Sequence, residues 1–169
     1  MTDNIEVFIQ NSIRIRTDGQ TVYIDPFRMK ESPNDADYIF ITHDHYDHFS
    51  PEDIGKVCRK DTILIVPGKM KNKTKDVSGM VGRIETVLPG EHRIADGLEF
   101  ETVPAYNNMK PFHPKSAGWV GYVLILENER VYIAGDTDAT EEAKQVKCNI
   151  ALVPIGGTYT MNAKKQPSL

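Results

Sequence analysis

The chain has 169 residues, enough for one domain with a real core and short for two. With 40% hydrophobic and 26% charged residues it has the composition of a soluble globular protein, and its net charge of −4 argues against a dedicated nucleic-acid binder. No apolar run approaches membrane-spanning length, Met1-Thr2-Asp3-Asn4 lacks an export-signal pattern, and two isolated cysteines, Cys58 and Cys148, without CxxC spacing point to a reducing cytoplasm.

Ile5-Glu6-Val7-Phe8-Ile9 alternates loosely and predicts a first strand. Two strands, Ser12 to Arg16 and Thr21 to Ile24, flank Asp18-Gly19, a hairpin signal. The chain then turns at Asp25-Pro26. Two readings of the Asp25 carboxylate stand side by side: it orients a metal-binding histidine from behind, or it closes an Asx-turn. After a loop over 33–37, Tyr38-Ile39-Phe40-Ile41 reads as a buried strand.

Next comes Thr42-His43-Asp44-His45-Tyr46-Asp47-His48-Phe49, which holds three of the five histidines. Ser50 is the expected N-cap of a following helix, Pro51 its first residue, and Asp53 the partner in a capping-box-like pair. The histidines therefore fall on a tight loop between a strand end and a helix N-terminus, where successive side chains can converge. Imidazole nitrogens and carboxylate oxygens are ligands for zinc, iron or manganese. His43 and His45, two apart on extended chain, can hold one ion, and Asp47 and His48, past the bend, can face a second. A polar turn with water-facing histidines is the weaker reading at this density.

Beyond the helix, Thr62 to Val66 predicts a second apolar strand, completing a βαβ-like alternation. Four lysines between Gly68 and Lys75 read as a solvated face; a phosphate-binding patch would gain from arginine or aromatic interleaving, which is absent. Strands are expected at Ile84–Val87, His92–Ile94, Leu98–Val103, Trp119–Leu126, Arg130–Ala134 and Ile150–Val153, with hairpins at Asp96-Gly97 and Glu127-Asn128-Glu129. His92 reads as a solvated strand residue. A short helix is expected from about Thr140 to Val146.

His43-x-His45-x-Asp47-His48 after an apolar strand resembles the metal-binding signature of the metallo-β-lactamase superfamily. Asp25-Pro26-Phe27, Gly135-Asp136-Thr137-Asp138 and Pro154-Ile155-Gly156-Gly157-Thr158-Tyr159 resemble segments of its ascorbate-6-phosphate-lactonase-like branch. The resemblance implies an α+β fold, an αββα sandwich of two mixed sheets packed face to face with helices outside. It implies that Asp136 bridges two ions; Asp138 is the weaker ligand candidate and reads as a helix cap. The family's third histidine falls here on Asn107, a poorer zinc ligand, so either Asn107 or His113 of Pro111-Phe112-His113-Pro114 is expected to complete the first site. The tail after Met161-Asn162 carries no further histidine. A single domain over 1–169 lacking the family's last helix and strand is therefore expected, with apolar surface that favours a homo-oligomer.

The function implied is that of a metal-dependent hydrolase binding up to two divalent ions, zinc being expected and manganese or iron the alternatives. His43, His45 and Asp136 would hold one ion, and Asp47, His48 and Asp136 the other. Asp47 would accept a proton from the attacking water, and a small-molecule lactone, ester, amide or phosphodiester would be the substrate. The alternative is a catalytically impaired metal-binding or scaffold remnant, motivated by Asn107 and the short C-terminus.

Overall fold

Hairpins and parallel crossovers build two separate β-sheets, each with its own small helix. The computed structural model describes residues 2–17, 19–108, 112–156 and 160. Asp18 of the first hairpin, Pro111, residues 157–159 and the tail from Met161 lie outside the described residues. The chain divides into two compact units, Met1–Val87 and Leu88–Leu169.

The first unit holds a six-stranded sheet whose spatial order is the chain order: β1 (Ile5–Val7), β2 (Ile13–Thr17), β3 (Gln20–Ile24), β4 (Ala36–Phe40), β5 (Cys58–Pro67) and β6 (Arg83–Val87). The first three strands pair antiparallel; β3 to β6 pair parallel. Helix α1 (Pro51–Val57) carries the crossover from β4 to β5. The expected cap is present: the Ser50 hydroxyl accepts from Asp53 N–H at 3.3 Å, and Pro51 opens the helix. Ile54 and Val57 point inward onto Tyr23, Ile39, Leu64 and Val66, all fully buried or nearly so. Strand β5 is a run of apolar residues buried from Ile63 to Pro67, as expected where both faces of a parallel strand are covered.

Two expectations change in this unit, and a third gains a detail. Strand β1 stops at Val7, because the Phe8 N–H turns to bond the Ser12 carbonyl at 2.9 Å, and Phe8 and Ile9 stay exposed. Strand β5 begins four residues earlier than the apolar run, at Cys58. Thr62 explains it: its hydroxyl accepts from Arg59 N–H at 2.7 Å and donates to the Ala36 carbonyl at 2.6 Å, bridging a register shift between Ala36 and Tyr38. The lysine-rich segment is a 3-10 helix, Gly68–Asp76, anchored by buried Met70 and Thr74. Its lysines face outward as expected, but Lys73 pairs with Asp44 of the histidine loop.

The second unit holds a five-stranded sheet in the order β11-β10-β9-β8-β7: β7 (His92–Ala95), β8 (Leu98–Pro104), β9 (Val120–Leu126), β10 (Glu129–Ile133) and β11 (Ile150–Leu152). All pairs are antiparallel except β10 with β11. Both hairpins use two-residue turns with left-handed backbone at both positions, Asp96-Gly97 and Glu127-Asn128. Helix α2 (Glu141–Lys144) is capped by Thr140, whose hydroxyl accepts from Ala143 N–H at 3.1 Å. The expectation that Asp138 caps it is corrected: Asp138 takes the Asn108 N–H at 3.1 Å instead. Ala143 packs with Val103, Val123, Tyr132 and Ala134. Gly121 is required where β9 passes the end of β10, since a Cβ there would stand 2.7 Å from the carbonyl oxygens of Ile133 and Ala134. The fold is thus α+β, two mixed sheets with few helices. Among the described residues no helix is long and apolar enough to cross a membrane.

Candidate metal centre

Strand β4 ends at Phe40, and the chain from Ile41 to Phe49 folds back on itself before α1. The N–H groups of His48 and Phe49 both bond the His45 carbonyl, at 3.0 and 2.8 Å, closing the loop into a turn. This turn gathers three imidazoles. His43 Nε2 stands 3.1 Å from His45 Nδ1, and the His43 and His48 rings lie with centroids 3.9 Å apart. His43 and His48 are buried.

The groups behind these rings set which nitrogen carries a proton. Asp25 is wholly buried and strained, with φ of 44°. Its carboxylate accepts from Thr42 N–H at 2.8 Å, the Thr42 hydroxyl at 2.6 Å, Asn11 Nδ2 at 2.7 Å and His48 Nδ1 at 2.7 Å. Having given its proton to Asp25, the Thr42 hydroxyl accepts from His43 Nδ1 at 2.9 Å. Both Nδ1 atoms are thereby donors, and both Nε2 atoms keep a lone pair. Thr42 is the residue that sequence reasoning passed over; its only signal was its place between the apolar strand and the first histidine. Asp47 sits at the loop's outer end, Oδ2 3.8 Å from His48 Nε2.

The second unit carries its own group. The Asn107 N–H bonds the His113 carbonyl at 2.7 Å, and the Asn107 amide lies 3.0 Å from His113 Nδ1. His113 is buried and turns Nε2 to within 3.5 Å of Asp136 Oδ2. Asp136 follows Gly135, whose φ of 64° turns the chain out of β10. Behind them the Thr137 hydroxyl ties 106 to 137, and the Tyr106 hydroxyl donates to Glu142 at 2.8 Å. Lys115 reaches the other Glu142 oxygen at 2.7 Å, and chiefly this bond holds the Glu142 carboxyl down at about 2. His92 stands apart on β7, exposed and bonded to Glu99 at 2.7 Å, as a solvated strand residue would.

These donor sets fit a divalent cation. Ligand atoms about 2.0–2.1 Å from one tetrahedral zinc stand about 3.3 Å apart, and the 3.1 and 3.5 Å separations bracket that spacing.

Comparison with known proteins settles the lineage. A family model described as the beta-lactamase superfamily domain matches residues 4–168. The chain belongs to that superfamily. It is 30% identical over 169 residues to the UPF0173 metal-dependent hydrolase MK1542 of Methanopyrus kandleri, covering 91% of this chain and 72% of that one. It is 32% identical over 168 residues to a UPF0173 metal-dependent hydrolase of Hyperthermus butylicus, covering 90% and 71%. A crystal structure assigned as a metal-dependent hydrolase, from Parabacteroides distasonis, matches with a TM-score of 0.81 at 29% identity, over 95% of this chain and 73% of that one. Igni18 of Ignicoccus hospitalis, a metallo hydrolase, shares the fold with a TM-score of 0.74 at 21% identity. The superfamily expected from the histidine motif and the α+β fold are therefore both found. The relatives are named metal-dependent hydrolases, and family membership supports hydrolase activity for this chain.

Proposed function

We propose that the chain is a metal-dependent hydrolase, one domain over 1–169 that holds up to two divalent ions. The ligands would be drawn from His43, His45, Asp47 and His48 in the first unit and Asp136 and His113 in the second, with zinc favoured by the imidazole-rich set and manganese or iron as the other candidates. Asn107 then acts as the group that orients His113, not as a ligand. A bound cation supplies positive charge that polarises a carbonyl or phosphoryl oxygen and makes water more acidic. Asp25 and Thr42 hold His48 and His43 in the ligating tautomer. Asp47 Oδ2, half-buried at the rim of the turn, accepts the proton from the attacking water and returns it to the leaving group. The substrate would be a small lactone, ester, amide or phosphodiester. Cys58 and Cys148 are both free thiols, as a reducing cytoplasm would keep them.

The observation that carries this reading is the imidazole cluster: His43 Nε2 lies 3.1 Å from His45 Nδ1, with the Thr42 hydroxyl behind His43 and the buried Asp25 carboxylate behind His48. The test is to add zinc or manganese to metal-free protein, count ions per chain, and assay lactone and phosphodiester hydrolysis. His45→Ala should abolish the metal-dependent rate. A full rate in that variant would discard the site.

A further inference from the structure

Arg28 is set apart from the chain's other arginines. Arg14, Arg16, Arg59, Arg83, Arg93 and Arg130 each pair with a carboxylate. Among the described residues none pairs with the Arg28 guanidinium. Its side chain is exposed and lies over the Phe27 ring, Cζ 5.2 Å from the centroid. Phe27 in turn meets Tyr46 edge-on, centroids 6.0 Å apart at 76°. Tyr46 belongs to the histidine loop, between His45 and Asp47, and is 76% exposed. Arg28, Phe27 and Tyr46 thus form a chain of contacts that ends in the histidine loop.

The backbone is held to keep Arg28 there. Its φ of 51° is a left-handed conformation that glycine adopts freely and arginine does not. Asp53, from α1, clamps the N–H groups of Arg28 and Met29 at 2.9 Å each. A position that strains its residue, is fixed from behind and points an unpaired guanidinium outward is shaped to present that charge.

We propose that Arg28, Phe27 and Tyr46 form the substrate-recognition rim of the metal loop, taking a molecule with an anionic group, carboxylate or phosphate, beside a flat apolar portion. The anion would meet the planar guanidinium fork, and the flat portion would lie against Tyr46. This rests on the hydrolase reading above, since it assigns specificity to that site.

The test uses phenyl phosphate, phenylacetate and neutral phenylacetamide as probes. Each is titrated into the full chain by NMR at low salt, first metal-free and then with zinc. Both anions should bind the metal-free wild type about tenfold more tightly than the amide, the gain of one charge-assisted contact. Whichever anion binds more tightly names the substrate's charged group. Arg28→Gln should remove the preference, and Arg28→Lys should keep part of it. Arg28→Gly relaxes the backbone, so it should retain the melting temperature yet lose anion binding as Arg28→Gln does. Tyr46→Leu should weaken all three probes alike, by about threefold. An anion preference that survives in Arg28→Gln and Arg28→Gly, or none in the wild type, overturns the proposal. Metal counting on the same samples keeps the two readings apart. A wild type that binds no zinc but shows Arg28-dependent anion binding sinks the hydrolase reading alone.

Discussion

Asp25→Asn isolates the buried carboxylate from everything around it. The replacement keeps the shape and one oxygen, so Thr42 N–H can retain its acceptor. The other oxygen, which serves Asn11 Nδ2, the Thr42 hydroxyl and His48 Nδ1, becomes an amide donor. The Thr42 hydroxyl can rotate and the Asn11 amide can turn over, but His48 can meet a donor only by moving its proton to Nε2. That is the atom it needs for a cation. Loss of such a supporting partner costs about 10- to 100-fold in metal affinity, or about 1.4–2.7 kcal/mol. The stability cost should be similar, about 1–3 kcal/mol for one poorly matched buried group. Zinc competition against a chromogenic chelator measures the first quantity and urea unfolding of the metal-free protein the second. Zinc affinity within twofold of wild type would refute the tautomer argument. Asp25→Ala is the contrasting case: it removes both oxygens, so it should unfold more easily while leaving the His48 proton free to redistribute.

Signals confined to a few neighbouring residues were legible. The β4-loop-α1 passage was readable because apolar run, histidine spacing, cap and proline lie within twenty residues of one another. The partners of Asp25 could not be read from its own turn, because its carboxylate takes four donors 14 to 23 residues away. Asp53 shows the same limit. It looks like half of a capping box, yet its carboxylate takes the Ser50 hydroxyl, two N–H groups of the 27–29 loop and Lys56. No periodicity announces a partner 25 residues upstream, and the same separation hides Arg28, whose N–H is one of those partners. Asn107 and His113 were both candidates by type. What distinguishes them in the structure is a contact between residues six apart, the Asn107 amide 3.0 Å from His113 Nδ1. The impaired-remnant alternative drew on Asn107 as a lost ligand. Under the proposed role of Asn107 as the group that orients His113, its amide is not a lost ligand and that motive weakens.

Asp53→Ala should cost about 2–4 kcal/mol in urea unfolding, since it removes the acceptor of the Ser50 hydroxyl and orphans two N–H groups at Arg28 and Met29; a loss under 1 kcal/mol would show that the clamp is not needed. The wild-type Asp53 carboxyl titrates below its usual range: burial pushes it up, but bonds from Ser50, Met29 N–H, Lys56 and Arg28 N–H outweigh it. Glu142→Gln probes the brace behind His113 through pH. The Lys115 bond, with help from Tyr106, lowers Glu142 from 4.5 to about 2 in the folded state. A lowered carboxyl stabilises the fold fully above its unfolded value and loses that contribution as pH falls through the folded one. The advantage of wild type over Glu142→Gln should hold constant above about pH 5 and fade between about 4.5 and 2. Because Glu142 is a third exposed, solvent screening keeps that advantage under about 1 kcal/mol. Thermal melts of both proteins across this window provide the measurement. A difference that stays flat down to pH 2 would mean the Lys115 pair does not stabilise the fold, and that Tyr106 alone braces the loop carrying His113.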